Sequence, residues 1–289
     1  MIYYLPTIRS RHNGFESIAN LASESKKLLF NKLEIDFSRC WFFDANMAAP
    51  LAAVIAGVAD NLNSIEIVNI PPAIERILRK NRFLTNYGYT ALEDTNRTTI
   101  PIQRLQLSDG GRFEDYIQHN LKGKGIPDMS EGLGRIFKQS IFEVFQNVVI
   151  HSGSRLGVFV CGQFYPNLQR LDLTLADGGV GIRTNVRNYL KRNVSSVEAI
   201  RWALVQGHTT KTGSQPGGVG LTFLKEFITS NEGKIQIVSR QGFYEFQSGK
   251  EDVFKIESDY MGTVVNLEIN TADTKTYRLM PEVSPEDIF

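Results

Sequence analysis

The segment IFEVFQNVVIHS constrains the fold of this chain more than any other. Its Glu143, Asn147 and His151 are each four residues apart, so on an α-helix they form a single polar line. Phe142, Val144, Phe145, Val148 and Val149 cover most of the remaining circumference, which demands burial against other apolar surface. Ser130 is placed to cap such a helix and Gly153 to stop it, so the expected span is residues 131–151. The polar line has two readings, a solvent-facing edge or a row of side chains facing a ligand. In the second, a carboxylate one turn from an amide oxygen polarises water while the amide holds a hard cation such as Mg²⁺. That pairing suits a nucleoside triphosphate.

Strand and helix patterns alternate before this helix. Residues 33–37 (LEIDF) read as a strand, 45–61 as an apolar helix and 65–69 (IEIVN) as a second strand, with a short amphipathic helix in AIERILRK after Pro71 and Pro72. The pattern is α/β. Polar, turn-rich sequence over 89–111 predicts a junction near residues 100–110, dividing the 289 residues into 1–105 and 106–289, each expected to bury its own core. Beyond the central helix, 156–164 and 171–175 read as a hairpin. KIQIVSR, GFYEF and GTVVNLEI supply later strands, and a helix layer on a largely antiparallel sheet is the simplest arrangement.

Charge excludes little but shifts the expectation. With 32 Lys and Arg against 31 Asp and Glu, the net charge of +1 gives no general attraction to nucleic acid or to anionic membranes. Cys40 and Cys161, far apart and in apolar contexts, predict buried thiols in a reducing compartment, hence a cytoplasmic location. The start MIYYLPTIRSRHNG carries no secretory pattern. The apolar run 47–59 falls well short of the roughly 20 residues that span a bilayer.

Two glycine-rich turns complete the candidate chemistry. The strand LDLTLA ends at Asp177, followed by Gly178, Gly179 and Gly181. A carboxylate at a buried strand end accepts a hydrogen bond from an exocyclic amine such as that of adenine, and glycines let a flat base approach the backbone; the alternative is an ordinary turn. In QPGGVGLTFLKEFI, Gly217, Gly218 and Gly220 lead into a helix carrying Leu221, Leu224, Phe227 and Ile228. Backbone N–H groups at a helix start accept phosphate oxygens; here the alternative is a linker. The polar GHTTKTGSQP before it would suit a lid, with Lys211 as its only cation.

In this order the three motifs resemble the GHKL ATPases, the histidine-kinase and gyrase type: an E-x-x-x-N box (Glu143, Asn147), a D-x-G-x-G box (Asp177, Gly179, Gly181) and a second glycine box. The resemblance covers about residues 111–270 and ends in MGTVVNLEI, whose Gly262 and Thr263 are similar to the family's closing G-T. It implies a Bergerat-type two-layer α/β sandwich binding ATP and Mg²⁺. In it Glu143 is general base, Asn147 the Mg²⁺ ligand, Asp177 the adenine reader, Thr263 its helper, and Gly217, Gly218, Gly220 and Leu221 the phosphate loop and the helix behind it. Thr209, Thr210 and Lys211 are similar to the F-T-T-K of histidine-kinase lids, with His208 where the aromatic stands. The spacing from Glu143 to His151 is closest to that of the anti-sigma-factor serine kinases.

The N-terminal segment, LEIDFSRCWFFDANMAAPLAAVIAG then IEIVNIPPAIERILRKNRF, resembles a STAS domain. Where that family has Asp-Ser-Ser-Gly this chain has Asp44, Ala45, Asn46 and Met47, so the acceptor hydroxyl is missing and the module is expected to bind or position. A plain α/β cap is the alternative. Together these likenesses imply an ATPase whose nucleotide state regulates a protein partner, a serine or threonine kinase of the anti-sigma type, or a non-catalytic ATP sensor; homodimerisation is a family-level implication.

Overall fold

The computed structural model describes residues 1–205, 208 and 219–279. The elements run β1 (Ile2–Tyr4), α1 (His12–Ser25), β2 (Lys32–Asp36), α2 (Ala48–Asp60), β3 (Ser64–Val68), α3 (Pro72–Lys80), β4 (Thr99–Leu105), α4 (Gly110–Leu121), α5 (Glu131–Ser152), β5 (Val158–Tyr165) and β6 (Arg170–Asp177). They continue α6 (Gly181–Leu190), α7 (Ser196–Ala203), α8 (Val219–Asn231), β7 (Lys234–Gln247) and β8 (Lys250–Asn270). A parallel three-stranded sheet, β1-β2-β3, stands apart from a five-stranded antiparallel sheet in the order β4-β5-β6-β8-β7.

The strands of the larger sheet alternate, and both of their faces are covered. Leu171, Leu173 and Leu175 of β6 pair in register with Ile269, Leu267 and Val265 of β8 and join one core with α4, α5 and α8. Their neighbours Asp172, Thr174 and Ala176 point the other way, where α1, α2 and the 3₁₀ turn Ala45–Met47 close over them. The layers are therefore the parallel sheet, then α1 and α2, then the antiparallel sheet, then α4, α5 and α8.

Two features bear on how the chain is divided. The change of sheet falls before Thr99, because β4 is already the edge strand of the antiparallel sheet, and not at residue 105. The core of the N-terminal unit is also continuous with the larger sheet: Leu33, Ile35, Phe37 and Leu51 share one buried cluster with Phe159, Cys161, Phe243 and Tyr260. A two-layer sandwich would leave this sheet face to solvent, which its polar residues permitted. In the structure a third layer covers it.

Local signals account for the elements that were legible. Ser130 Oγ accepts from the Leu133 N–H at 3.3 Å and Gly153 ends α5 in the left-handed conformation. KIQIVSR and GFYEF are one continuous strand, β7, bent by a register shift between Ser239 and Gly242. Cys40 and Cys161 are both buried free thiols, and burial pushes the Cys40 thiol up to about 11. Among the described residues no helix is long and apolar enough to cross a membrane.

Candidate functional site

A cavity of about 150 Å³ opens between α5, α6, α7, the first turn of α8 and the ends of β7 and β8. Most of its wall is apolar: Val144, Val148, Ile182, Val186, Ile200 and Val265. The volume is below the roughly 300–1,000 Å³ usual for ligand pockets. Polar groups enter at Asn147, His151, Asn185, His208 and Thr263.

The polar line of α5 is half-buried, and its members diverge. Asn147 and His151 stand on the cavity wall, and the Asn147 side-chain amide has no hydrogen-bond partner among the described residues. Glu143, one turn earlier, is directed at α8, where its Oε2 accepts the Gly220 N–H at 2.7 Å. A carboxylate there sits on a helix start, where the backbone donors and the macrodipole favour negative charge. Leu221, next in sequence, contributes to the wall.

Asp177 ends β6 with no solvent exposure. Its Oδ1 accepts from the Gly179 N–H at 2.6 Å and its Oδ2 from the Thr263 N–H at 3.1 Å. Burial raises its pKa to about 7, and these two backbone donors only partly offset that rise. The carboxylate lies behind the wall; Thr263, which it holds, lies on it, with its Oγ1 3.2 Å from Ser239 Oγ. Two glycines make this packing feasible. A Cβ on Gly179 would stand 1.9 Å from the Ser152 carbonyl oxygen at the end of α5, and one on Gly262 would stand 2.0 Å from the Asp177 carbonyl oxygen, with φ at +117°. Gly181 opens α6.

The structure thus gathers Asn147, Leu221 and Thr263 around one cavity, with Glu143, Asp177, Gly179, Gly181 and Gly220 in the shell behind it. Thr209, Thr210, Lys211, Gly217 and Gly218 lie outside the described residues. Of the far wall, sequence reasoning named only His208, as a lid residue, and missed Trp202. Trp202 and His208 stack with ring centroids 4.7 Å apart, His208 Nδ1 lies 3.0 Å from the Trp202 carbonyl oxygen, and both rings line the cavity. The one signal was a tryptophan and a histidine six residues apart, beside a loop already singled out. Asn185, which donates to the His151 carbonyl oxygen at 2.7 Å, had none.

No protein-family model matches the chain, and no curated protein matches its sequence.

Proposed function

We propose that this chain binds ATP with Mg²⁺ at the cavity flanked by α5 and α8, in a Bergerat-type ATPase fold preceded by a STAS-like unit. The observation that carries the reading is the wholly buried Asp177 carboxylate, fixed by the Gly179 and Thr263 amides directly behind the wall of a small, largely apolar cavity. Its second oxygen lone pairs suit a base amine, and the apolar wall suits a purine ring. Asn147 supports the reading as an amide on the cavity wall, one turn from Glu143. Mg²⁺, when bound, would supply charge neutralisation of the phosphates, and it takes few protein ligands because it keeps several waters. Asn147 would hold it, Glu143 would orient water towards the γ-phosphate, and the α8 start would receive phosphate oxygens.

Regulated hydrolysis, with a protein partner sensing the nucleotide state, is the primary reading. The sensor without turnover draws support from one contact: Glu143 occupies the Gly220 N–H, a donor that a phosphate would need, and must release it before acting on water. For a kinase the acceptor hydroxyl would belong to another protein, because Asp44, Ala45 and Asn46 are buried against the sheet and offer none.

Calorimetric titration with ATP and Mg²⁺, on the wild type, Asp177→Asn and Thr263→Val, tests the pocket. Both variants should bind at least tenfold more weakly, as expected when roughly 1.4 kcal/mol or more of base recognition is lost; wild-type affinity in both would refute the assignment. Glu143→Ala should keep binding. If the protein hydrolyses ATP, its turnover should fall by roughly a hundredfold.

A further inference from the structure

A second and larger concavity shares no residue with the first. It is a groove of about 1190 Å³ between the end of α3, the segment leading into β4, and the last turns of α4. Its charge is unbalanced: Lys80, Arg82, Arg97, Lys122 and Lys124 face only Glu93, Asp94 and Asp115. That surplus exceeds the net charge of +1 on the entire chain. Arg82, Arg97 and Lys122 are exposed and have no carboxylate partner among the described residues.

Lys124 makes the imbalance costly. The residue is only 6 % exposed, and its Nζ donates to the Arg97 carbonyl oxygen, which satisfies one of three N–H bonds. The counter-charge that acts on it, Asp94, is already engaged: its Oδ2 accepts from the Thr99 N–H at 2.6 Å and hydroxyl at 2.8 Å, and its Oδ1 lies 3.4 Å from Lys80 Nζ. Burial consequently lowers the Lys124 pKa, with Asp94 opposing and Arg97 reinforcing the shift. A buried, half-compensated ammonium opening onto unpaired guanidinium groups is an anion site in search of its anion.

The lining selects among anions. Neither Phe, Tyr nor Trp lines the groove and His119 is its single ring, so the succession of aromatic faces on which single-stranded nucleic acid stacks is missing. Leu92 and Pro101 add apolar footing, and the Gln118 side chain offers an amide. We propose that this groove binds an acidic peptide segment of a partner protein, with carboxylates on Arg82, Arg97, Lys122 and Lys124 and apolar side chains against Leu92 and Pro101. The proposal stands independently of nucleotide binding at the other cavity.

Fluorescence anisotropy with a labelled glutamate-rich peptide carrying interspersed leucines tests it, using tripolyphosphate and a single-stranded oligothymidylate as competitors. The variant combines Arg82→Asn, Arg97→Asn and Lys122→Gln. Asparagine preserves the left-handed backbone that both arginines adopt, at φ 66° and 51°. The wild type should bind the peptide, the variant should bind it at least about tenfold more weakly, and raised salt should weaken the wild type further. A wild type that ignores the peptide, an affinity unchanged in the variant, or an affinity insensitive to salt overturns the proposal. Tighter binding of tripolyphosphate or oligothymidylate than of peptide overturns the peptide assignment.

Discussion

The two faces of the antiparallel sheet are both covered, but their central rungs differ in chemistry. Toward α5 the rungs across β6, β8 and β7 are aliphatic: Leu173, Leu267 and Ile235, then Leu175, Val265 and Ile237. Toward the N-terminal unit the adjacent rungs are Asp172, Glu268 and Lys234, then Thr174, Asn266 and Gln236, all buried except the half-buried Glu268. Asn46 at the start of α2 reaches into the amide rung, donating to Thr174 Oγ1 at 2.9 Å and Asn266 Oδ1 at 3.1 Å. Asp44 accepts from Arg170 at 2.7 Å, the Tyr165 hydroxyl at 2.8 Å and the Ser10 N–H at 2.8 Å. The aliphatic face tolerates any partner of the right volume, whereas the polar face tolerates only one that supplies these donors and acceptors in register. The comparison teaches that docking of the N-terminal unit is specific rather than merely adhesive.

The charged rung is not fully matched. Arg170 Nε lies 3.1 Å from Asp172 Oδ2 without hydrogen-bond geometry, and both Asp172 oxygens lack a hydrogen-bond donor among the described residues. Burial pushes the Asp172 carboxyl well above the usual range, with Arg170 pulling it back and Glu268 and Asp44 pushing it further.

The most severe test of the contrast is Asp44→Ala, which takes from Arg170 its hydrogen-bonded carboxylate, leaving it only the ion pairs to Asp172 and Glu268, and strips the Tyr165 hydroxyl and the Ser10 N–H of their acceptor. Removing one partner of a buried charge pair costs about 3–5 kcal/mol, so the urea midpoint should fall sharply; a loss no larger than a surface change would mean the polar face is solvated. Leu173→Ala probes the aliphatic side of the same strand, with an expected loss of about 2–5 kcal/mol from transfer and cavity terms. A near-neutral result there would show that the helix layer collapses into the gap.

Asp177 belongs to the helix-facing side, where two backbone donors fix its carboxylate behind the cavity wall, and its pKa of about 7 gives it a pH signature. The unfolded carboxyl titrates near roughly 3.9, so the folded state binds the proton more tightly. That contribution is fully present below about pH 4 and is lost as pH rises through about 7. Urea unfolding of wild type and Asp177→Asn across this window should show wild-type stability falling relative to the variant; a constant difference would remove the titration from Asp177. The smallest effect is expected for the exposed pair crossing the same interface, Arg155 and Asp60 at 3.7 Å. Arg155→Ala should change stability by less than about 1 kcal/mol, and a larger loss would shift the docking energy away from the buried network.

Much of the helix-facing layer was written locally. The i, i+4 line of Glu143, Asn147 and His151, the Ser130 cap, the Gly153 stop and the hairpin around Pro166 depend on neighbours a few residues away, so their periodicity carries them. The same holds for Asp177 followed by glycines. Trp202 and Asn185 were invisible as wall residues because nothing within α6 or α7 indicates which face meets a cavity.

Tertiary structure alone decided the rest. The alternation in LDLTLAD states that two faces differ, but a polar face reads as solvent-exposed until another layer is known to cover it. Whether Asp172 and Thr174 meet water or Asn46 and Arg170 depends on contacts more than a hundred residues apart for the Asn46 pair, |i−j| 128. Short-range pattern fixes which side of an element is apolar, while only the packed chain fixes what each polar side is opposite. For that reason Glu143 could be placed on the polar line of α5, but not as the acceptor for the first turn of α8.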